Sequence, residues 1–137
     1  IYVDWENGLV FGGNEWNCGT WMDKMGESVR AGNKGYPGTP RNGAAIEING
    51  LLKSAIRFVI ELYDRKLFKY DSVVNQNGDT ITFKKWDKLL VDNFEKCFYI
   101  PEFEENDKDF IINKKIVHRR GIYKDLFRSK KNMKIIN

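Results

Sequence analysis

The chain has 137 residues, of which 42% are hydrophobic and 14% aromatic, and its formal net charge is +4. No run of about 18 apolar residues is present, so we expect no membrane span, and the apolar content is too high for a disordered chain. Two cysteines and one histidine are too few for a disulfide scaffold or a zinc site. We therefore expect no metal or cofactor and a reducing, cytoplasmic setting. Residues 1–5, IYVDW, have neither the basic nor the apolar region of a secretory signal, so we expect none.

Residues 1–43 are rich in glycine and tryptophan. Nine of the twelve glycines and three of the four tryptophans fall there. The turn sequences at 12–14 and 36–40 predict an aromatic, glycine-rich loop region, with a short helix near 20–28.

Two amphipathic helices are predicted after this loop region. Apolar residues recur at three- and four-residue steps over 48–63, and the same pattern returns over 80–99, where Pro101 ends it. Asn42 or Gly43 is the expected cap of the first helix. These patterns favour an all-α protein.

The positive charge lies almost entirely at the C-terminal end. Residues 113–137 contain nine basic residues and one acidic residue, a net charge of +8, so residues 1–112 carry −4. Binding to nucleic acid would therefore depend on this basic stretch alone, and we expect no nucleic-acid partner.

The first candidate site is the stretch 17–27. Asp23 follows the apolar Trp21 and Met22, and Glu27 lies four residues further on. Apolar neighbours and a nearby like charge both raise the pKa of a carboxyl group, as a general acid requires, and a tryptophan ring can stack on a sugar or a base. The alternative is a solvated Asp–Glu pair at the start of an ordinary helix.

The second candidate site joins a loop to the first helix. Arg41 follows Pro40, and Glu47 lies about one turn into the predicted helix. Such a pair can bind hydroxyl groups, or it can be an ion pair that locks the loop to the helix. The residues alone leave both interpretations open.

Two segments carry a resemblance to a known family. NCGTWMDKMGES at 17–28 and GYPGTPRNGAAIEI at 35–48 resemble the eukaryotic glycogen debranching enzymes, in their C-terminal amylo-α-1,6-glucosidase region. The segments at 10–14, 92–96 and 118–125 are similar to the same family, in the same order. Five motifs in register are far more specific than one.

The resemblance implies a bifunctional enzyme with a 4-α-glucanotransferase half and a glucosidase half. The glucosidase half hydrolyses α-1,6-linked glucose in glycogen or limit dextrin and resembles an (α/α)6 toroid. By this resemblance Asp23 is the general acid, and Trp21, Arg41 and Glu47 line the glucose pocket. The implied reaction inverts the anomeric centre, with a second carboxylate ~6.5–9.5 Å away that activates water.

The departures from the family define the expected domains. Asn42 stands where the family usually has aspartate, Gly38 stands where it usually has alanine, and the resemblance ends after Asp125. We expect 1–125 to be part of the glucosidase domain and 126–137 to be a divergent basic tail outside it. Twelve helices of ~11 residues with connections of ~5 need roughly 190 residues, so the chain is expected to form a partial toroid. The catalytic base is then expected elsewhere in the longer enzyme, and the isolated chain is expected to be inactive.

Two other functions remain open at this stage. The chain could be a non-catalytic glucan-binding module that uses Trp16, Trp21 and Arg41. It could also bind RNA through its basic tail, which would give a strong dependence on salt. Another (α/α)6 hydrolase is disfavoured by the NCGTWMD run.

Overall fold

The computed structural model describes residues 1–14, 20, 24–38 and 41–128. Within these residues the chain forms two α-helices, two short 3-10 helices and eight short strands. The helices are α1 (Ile46–Asp64) and α2 (Phe83–Phe98), with 3-10 helices at Glu104–Asp109 and Lys114–Ile116. The strands are β1 (Tyr2–Asp4), β2 (Leu9–Phe11), β3 (Ala44–Ala45), β4 (Ser72–Val74), β5 (Thr80–Thr82), β6 (Tyr99–Ile100), β7 (Ile122–Tyr123) and β8 (Leu126–Phe127).

The expected all-α fold, a partial (α/α)6 toroid, is wrong for this chain. Over the described residues the strands pair as β1–β2, β3–β8, β4–β5 and β6–β7, all antiparallel, so the architecture is mixed α and β. The physical reason for the error is strand length. A strand of two or three residues is too short to show the alternation of apolar and polar residues that marks a strand in a sequence.

The short helix expected near 20–28 is also absent from its described part. Met25 forms an isolated β-bridge with Pro37, and Gly26 forms one with Lys34. Residues 24–28 therefore lie alongside 34–38 and do not form a helix. Glu27 therefore lies outside any helix. It does not take part in the helical face that the sequence predicts for Asp23 and Glu27.

Both long helices are confirmed, but their N-terminal ends differ in chemistry. α2 is capped by Thr82, whose hydroxyl accepts a hydrogen bond from Lys85 N at 3.1 Å. The cap position of α1 is Ala45 rather than Asn42 or Gly43, and no side chain caps the helix. Instead the Ile46 N–H donates to the carbonyl of Asp125 at 3.1 Å, so a distant turn supplies the partner that a helix start requires.

The core joins the two helices to the strand residues around them. Phe127 lies between Phe11 and Phe98, with ring centroids 6.3 and 6.1 Å away. β8 thus contributes to the core, although it comes from the start of the predicted basic tail. The buried cluster consists of Leu9, Phe11, Ala44, Ile56, Leu90, Cys97, Phe98 and Phe127.

One buried amide connects β2 to α1. Asn49 is fully buried; its Oδ1 accepts from Val10 N at 2.7 Å, and its Nδ2 donates to the carbonyls of Val10 at 3.1 Å and Ala45 at 2.9 Å. Because each buried backbone group needs a partner, this side chain fixes β2 against the start of α1. No helix in the described part of the chain has the length and apolar character to cross a bilayer.

Candidate active site

Two of the segments singled out in the sequence meet at a pair of glycines. Gly12 N donates to Gly43 O at 3.1 Å, and Gly43 N donates to Gly12 O at 3.0 Å. Gly43 has a φ of 134°, and a Cβ there would lie 2.8 Å from Phe127 O. A side chain is therefore excluded on both counts, and this glycine allows the 10–14 and 41–43 segments to approach each other.

An open pocket of about 300 Å³ lies against this junction. Its volume is at the lower end of the range typical of small-ligand sites. Amide side chains on both segments and one guanidinium reach its wall, and such groups can donate to and accept from sugar hydroxyls. The lining residues include Tyr2, Gly12, Gly13, Asn14, Asn42 and Arg128.

The residue next to the pocket, Arg41, forms a buried ion network. Its side chain is only 1% exposed. Nη2 donates to Glu47 Oε2 and to Asp125 Oδ1, each at 2.7 Å, and it lies 3.3 Å from Asp125 O. Nη1 donates to Glu47 Oε1 and, at 3.2 Å, to the hydroxyl of Thr20. The ion pair that the sequence left as one of two interpretations is therefore formed.

Glu47 is held in its ionised form by this arrangement. Partial burial alone would raise the pKa of Glu47, but the hydrogen bonds from Arg41 and its positive charge outweigh burial and lower the pKa below its usual value. The first turn of α1 also favours a negative charge. An ionised Glu47 cannot donate a proton, so within this pair it acts as an acceptor that orients its neighbours.

The structure brings two of the four predicted site residues together. Arg41 and Glu47 are in direct contact, whereas Trp21 and Asp23, like Trp16, lie outside the described residues. Thr20, which directly precedes Trp21 in the sequence, is bound to Arg41. Over the described residues, no three His, Cys, Asp or Glu side chains are grouped as they are in a metal site.

Asp125, like Thr20, is a residue of this network that the sequence did not single out as functional. It stands at the end of the 118–125 segment and lies 84 residues from Arg41. No helical or strand spacing connects positions so far apart. The signal in the sequence that could have identified Asp125 is its place in one of the segments that resemble the family.

Comparison with known proteins decides the family. The model of the amylo-alpha-1,6-glucosidase family matches residues 1–136. The chain belongs to that family. Among its relatives is the glycogen debranching enzyme of Saccharomyces cerevisiae, 60% identical over 132 residues, which are 96% of this chain and 9% of the yeast protein. The resemblance carried by the five segments is thereby confirmed, and this amylo-alpha-1,6-glucosidase segment spans about a tenth of the curated relative.

Proposed function

We propose that this chain is part of the glucosidase region of a glycogen debranching enzyme. In the longer protein it would contribute to the hydrolysis of α-1,6-linked glucose at glycogen branch points. The observation that carries the proposal is the convergence of family-like segments: 10–14 and 41–43 pair at one pocket, and Arg41 links that junction to Glu47 and to the end of 118–125. The family match and the yeast relative support the same proposal.

In the proposed mechanism Asp23 is the general acid. Its proton passes to the glycosidic oxygen as the bond from that oxygen to the anomeric carbon breaks. A second carboxylate, from outside this chain, takes a proton from the water that attacks the opposite face, which inverts the configuration. Glu47 does not compete for the acid role because Arg41 holds it ionised.

The other site residues bind and orient the glucose. Trp21 would stack on the sugar ring, since an indole presents a large flat apolar face. Arg41 and Glu47 would line the glucose site, with the Glu47 carboxylate, which keeps some exposure, on the side toward substrate.

The proposal includes neighbours from a longer chain. Leu51, Ala55 and Phe58 form an exposed stripe on α1 at helical spacing, and an apolar stripe of this kind is normally covered. The rest of a debranching enzyme would cover it, supply the catalytic base and carry the 4-α-glucanotransferase half, in the cytoplasm and with glycogen or limit dextrin as substrate. The isolated chain is then inactive.

The experiment replaces the matching segment of the yeast glycogen debranching enzyme with this chain. Glucose release from limit dextrin is measured for the replaced enzyme, for Asp23→Asn and for Asp109→Asn, an exposed control. We expect Asp23→Asn to lower kcat by about 100-fold or more, which is typical for loss of an acid catalyst, and the control to match the parent. Undiminished glucose release by Asp23→Asn would refute the assigned acid.

A glucan-binding module without catalysis is the alternative. The pocket lined by Asn14, Asn42 and Arg128 favours it, because amides and a guanidinium suit sugar hydroxyls. It predicts that the isolated chain co-sediments with glycogen and that Trp21→Ala weakens this binding, while Tyr36→Ala, which removes an exposed aromatic ring elsewhere, does not. Absence of co-sedimentation in a large excess of glycogen would count against it.

A further inference from the structure

We propose that Asp125 is a positioning residue of the glucosidase site, acting through Arg41 on the segment that begins at Thr20. This inference rests on the proposed function, and it adds a role for a residue that lies 84 positions from Arg41 in the sequence. Asp125 lies between β7 and β8, and it reaches the site because β8 pairs with β3 beside the start of α1.

Asp125 contacts this junction with two different groups. Its carbonyl accepts from the Ile46 N–H at 3.1 Å and also lies 3.3 Å from Arg41 Nη2. Its carboxylate Oδ1 accepts from the same Nη2 at 2.7 Å. The carbonyl therefore joins the turn to α1 whether or not the carboxylate is present, so the two contributions can be separated by changing the side chain alone.

The carboxylate adds a further attachment to the Arg41 guanidinium, which Glu47 already holds through both Nη1 and Nη2. Nη2 has two N–H donors, and its acceptors are Glu47 Oε2, Asp125 Oδ1 and the Asp125 carbonyl. A guanidinium is planar, so this added contact at Nη2 resists rotation of the whole group and thereby helps to hold Nη1 in place. Nη1 is then directed at Glu47 Oε1 and at the Thr20 hydroxyl.

The exposures of the two partners support a positioning role. The Arg41 side chain is 1% exposed and the Asp125 side chain 61% exposed. An exposed carboxylate adds little to stability by itself, because water solvates it well in the unfolded chain too. Its contact with a fully buried guanidinium nevertheless selects one orientation of that group. Loss of the carboxylate should then alter the geometry at Thr20 more than it alters folding.

Thr20 is where this chain of contacts reaches the proposed chemistry. It directly precedes Trp21 and comes three residues before Asp23 in the sequence. A displacement of reacting groups by about 1 Å can lower a rate by about 100-fold. The contacts from Asp125 through Arg41 to Thr20 therefore predict a larger effect on kcat than on KM.

The test uses the yeast debranching enzyme carrying this chain in place of its own segment. Asp125→Ala removes the carboxylate and keeps the carbonyl, and Asp125→Asn retains a side-chain oxygen that can accept from Nη2. Asp64→Ala is the matched control, because Asp64 is 52% exposed and pairs with Lys84 at 3.0 Å between α1 and α2. For each variant, kcat and KM for glucose release and Tm are measured.

We expect Asp125→Ala to lower kcat about 10-fold with KM within about twofold and Tm equal to that of the control. Asp125→Asn should recover most of this loss. Thr20→Val, which removes the acceptor at the other end, should reproduce the decrease, and the double variant should be no worse than either single one, since both interrupt the same connection.

The outcomes separate the two proposals. If the yeast enzyme that carries this chain without any further substitution releases no glucose, the proposed function is refuted and, with it, the role of Asp125. An active parent in which Asp125→Ala has the kcat of Asp64→Ala overturns the role of Asp125 alone. A decrease in Tm that accounts for the whole loss, or additive effects of Thr20→Val and Asp125→Ala, likewise overturns it. If Asp125→Ala does not fold, the kcat and Tm of Thr20→Val are compared with those of Asp125→Asn, and the same criteria decide the role of Asp125.

Discussion

Arg41 and Arg120 have similar partners in very different surroundings. Each guanidinium contacts two carboxylates and one backbone carbonyl: Arg41 contacts Glu47, Asp125 and Asp125 O, and Arg120 contacts Asp107, Glu104 and Pro101 O. The Arg41 side chain is 1% exposed and that of Arg120 is 20% exposed. Arg41 has a partner 84 residues away in the sequence, whereas the most distant partner of Arg120 is 19 residues away.

The difference shows what each arginine contributes. Arg120 and Lys114 both bind Asp107, and together they tie the 3-10 helix at Glu104–Asp109 to the second 3-10 helix and to the bend before β7. Their contacts close a local loop. Arg41 instead connects segments that come together only when the whole chain is folded, and it does so beside the pocket. We therefore expect substitutions at Arg41 to affect both folding and function, and those at Arg120 to affect local stability.

The largest effect is expected for Arg41→Ala. Removing the guanidinium leaves the half-buried Glu47 without its bidentate partner, and loss of one member of a buried pair destabilises proteins by about 3–5 kcal/mol. Because Glu47 is partly exposed and water can reach it, we expect about 3 kcal/mol, at the lower end of that range. The free energy of unfolding in urea at pH 7 measures this loss.

Arg41→Lys is the control for charge. An ammonium group keeps the charge but cannot bind Glu47 and Asp125 with one planar fork, so it should restore only part of the stability. A loss below about 1 kcal/mol in Arg41→Ala would show that the network is not the buried connection described above.

The two arginine networks also show what the sequence could predict. The sequence places Arg41 and Glu47 near each other because six residues separate them across a recognisable loop–helix boundary, and it leaves open whether they form an ion pair or bind hydroxyl groups. The helices were found because 3.6-residue periodicity extends over 16 and 19 residues. Strands of two or three residues carry too little pattern. The position of Asp125 depends on β8 pairing with β3, which no local signal encodes.

A smaller effect with a distinct pH dependence is expected at Asp107. The hydrogen bonds of Arg120, opposed by burial and assisted by Lys114, lower the pKa of Asp107 from 3.8 to about 2. A carboxyl whose pKa is lowered on folding stabilises the protein fully above its unfolded pKa, and this contribution is lost as the pH falls through the folded pKa. Asp107→Asn should therefore lower the urea midpoint at pH 7, by less than Arg41→Ala does.

The same variant supplies the pH test. The gap in urea midpoint between the parent and Asp107→Asn should be full above about pH 5 and should close progressively between about pH 4 and pH 2. Asp109→Asn, an exposed position in the same 3-10 helix, should show no such closing gap. A gap that stays constant down to pH 2 would mean that Arg120 does not hold Asp107 ionised.

The smallest effect is expected for an ion pair that is neither buried nor long-range. Lys88 and Asp92 are one turn apart on α2, 2.7 Å from each other, and largely exposed. Exposed pairs at this spacing contribute about 0.3–0.5 kcal/mol, so Asp92→Ala should change the free energy of unfolding by no more than about 0.5 kcal/mol, and added salt should reduce even that. Urea unfolding at low and high salt measures both values. The Lys88–Asp92 pair is exposed and lies within a single helix. If Asp92→Ala destabilised the chain as much as Arg41→Ala, then neither burial nor the sequence separation of the partners would explain the difference between the two arginine networks.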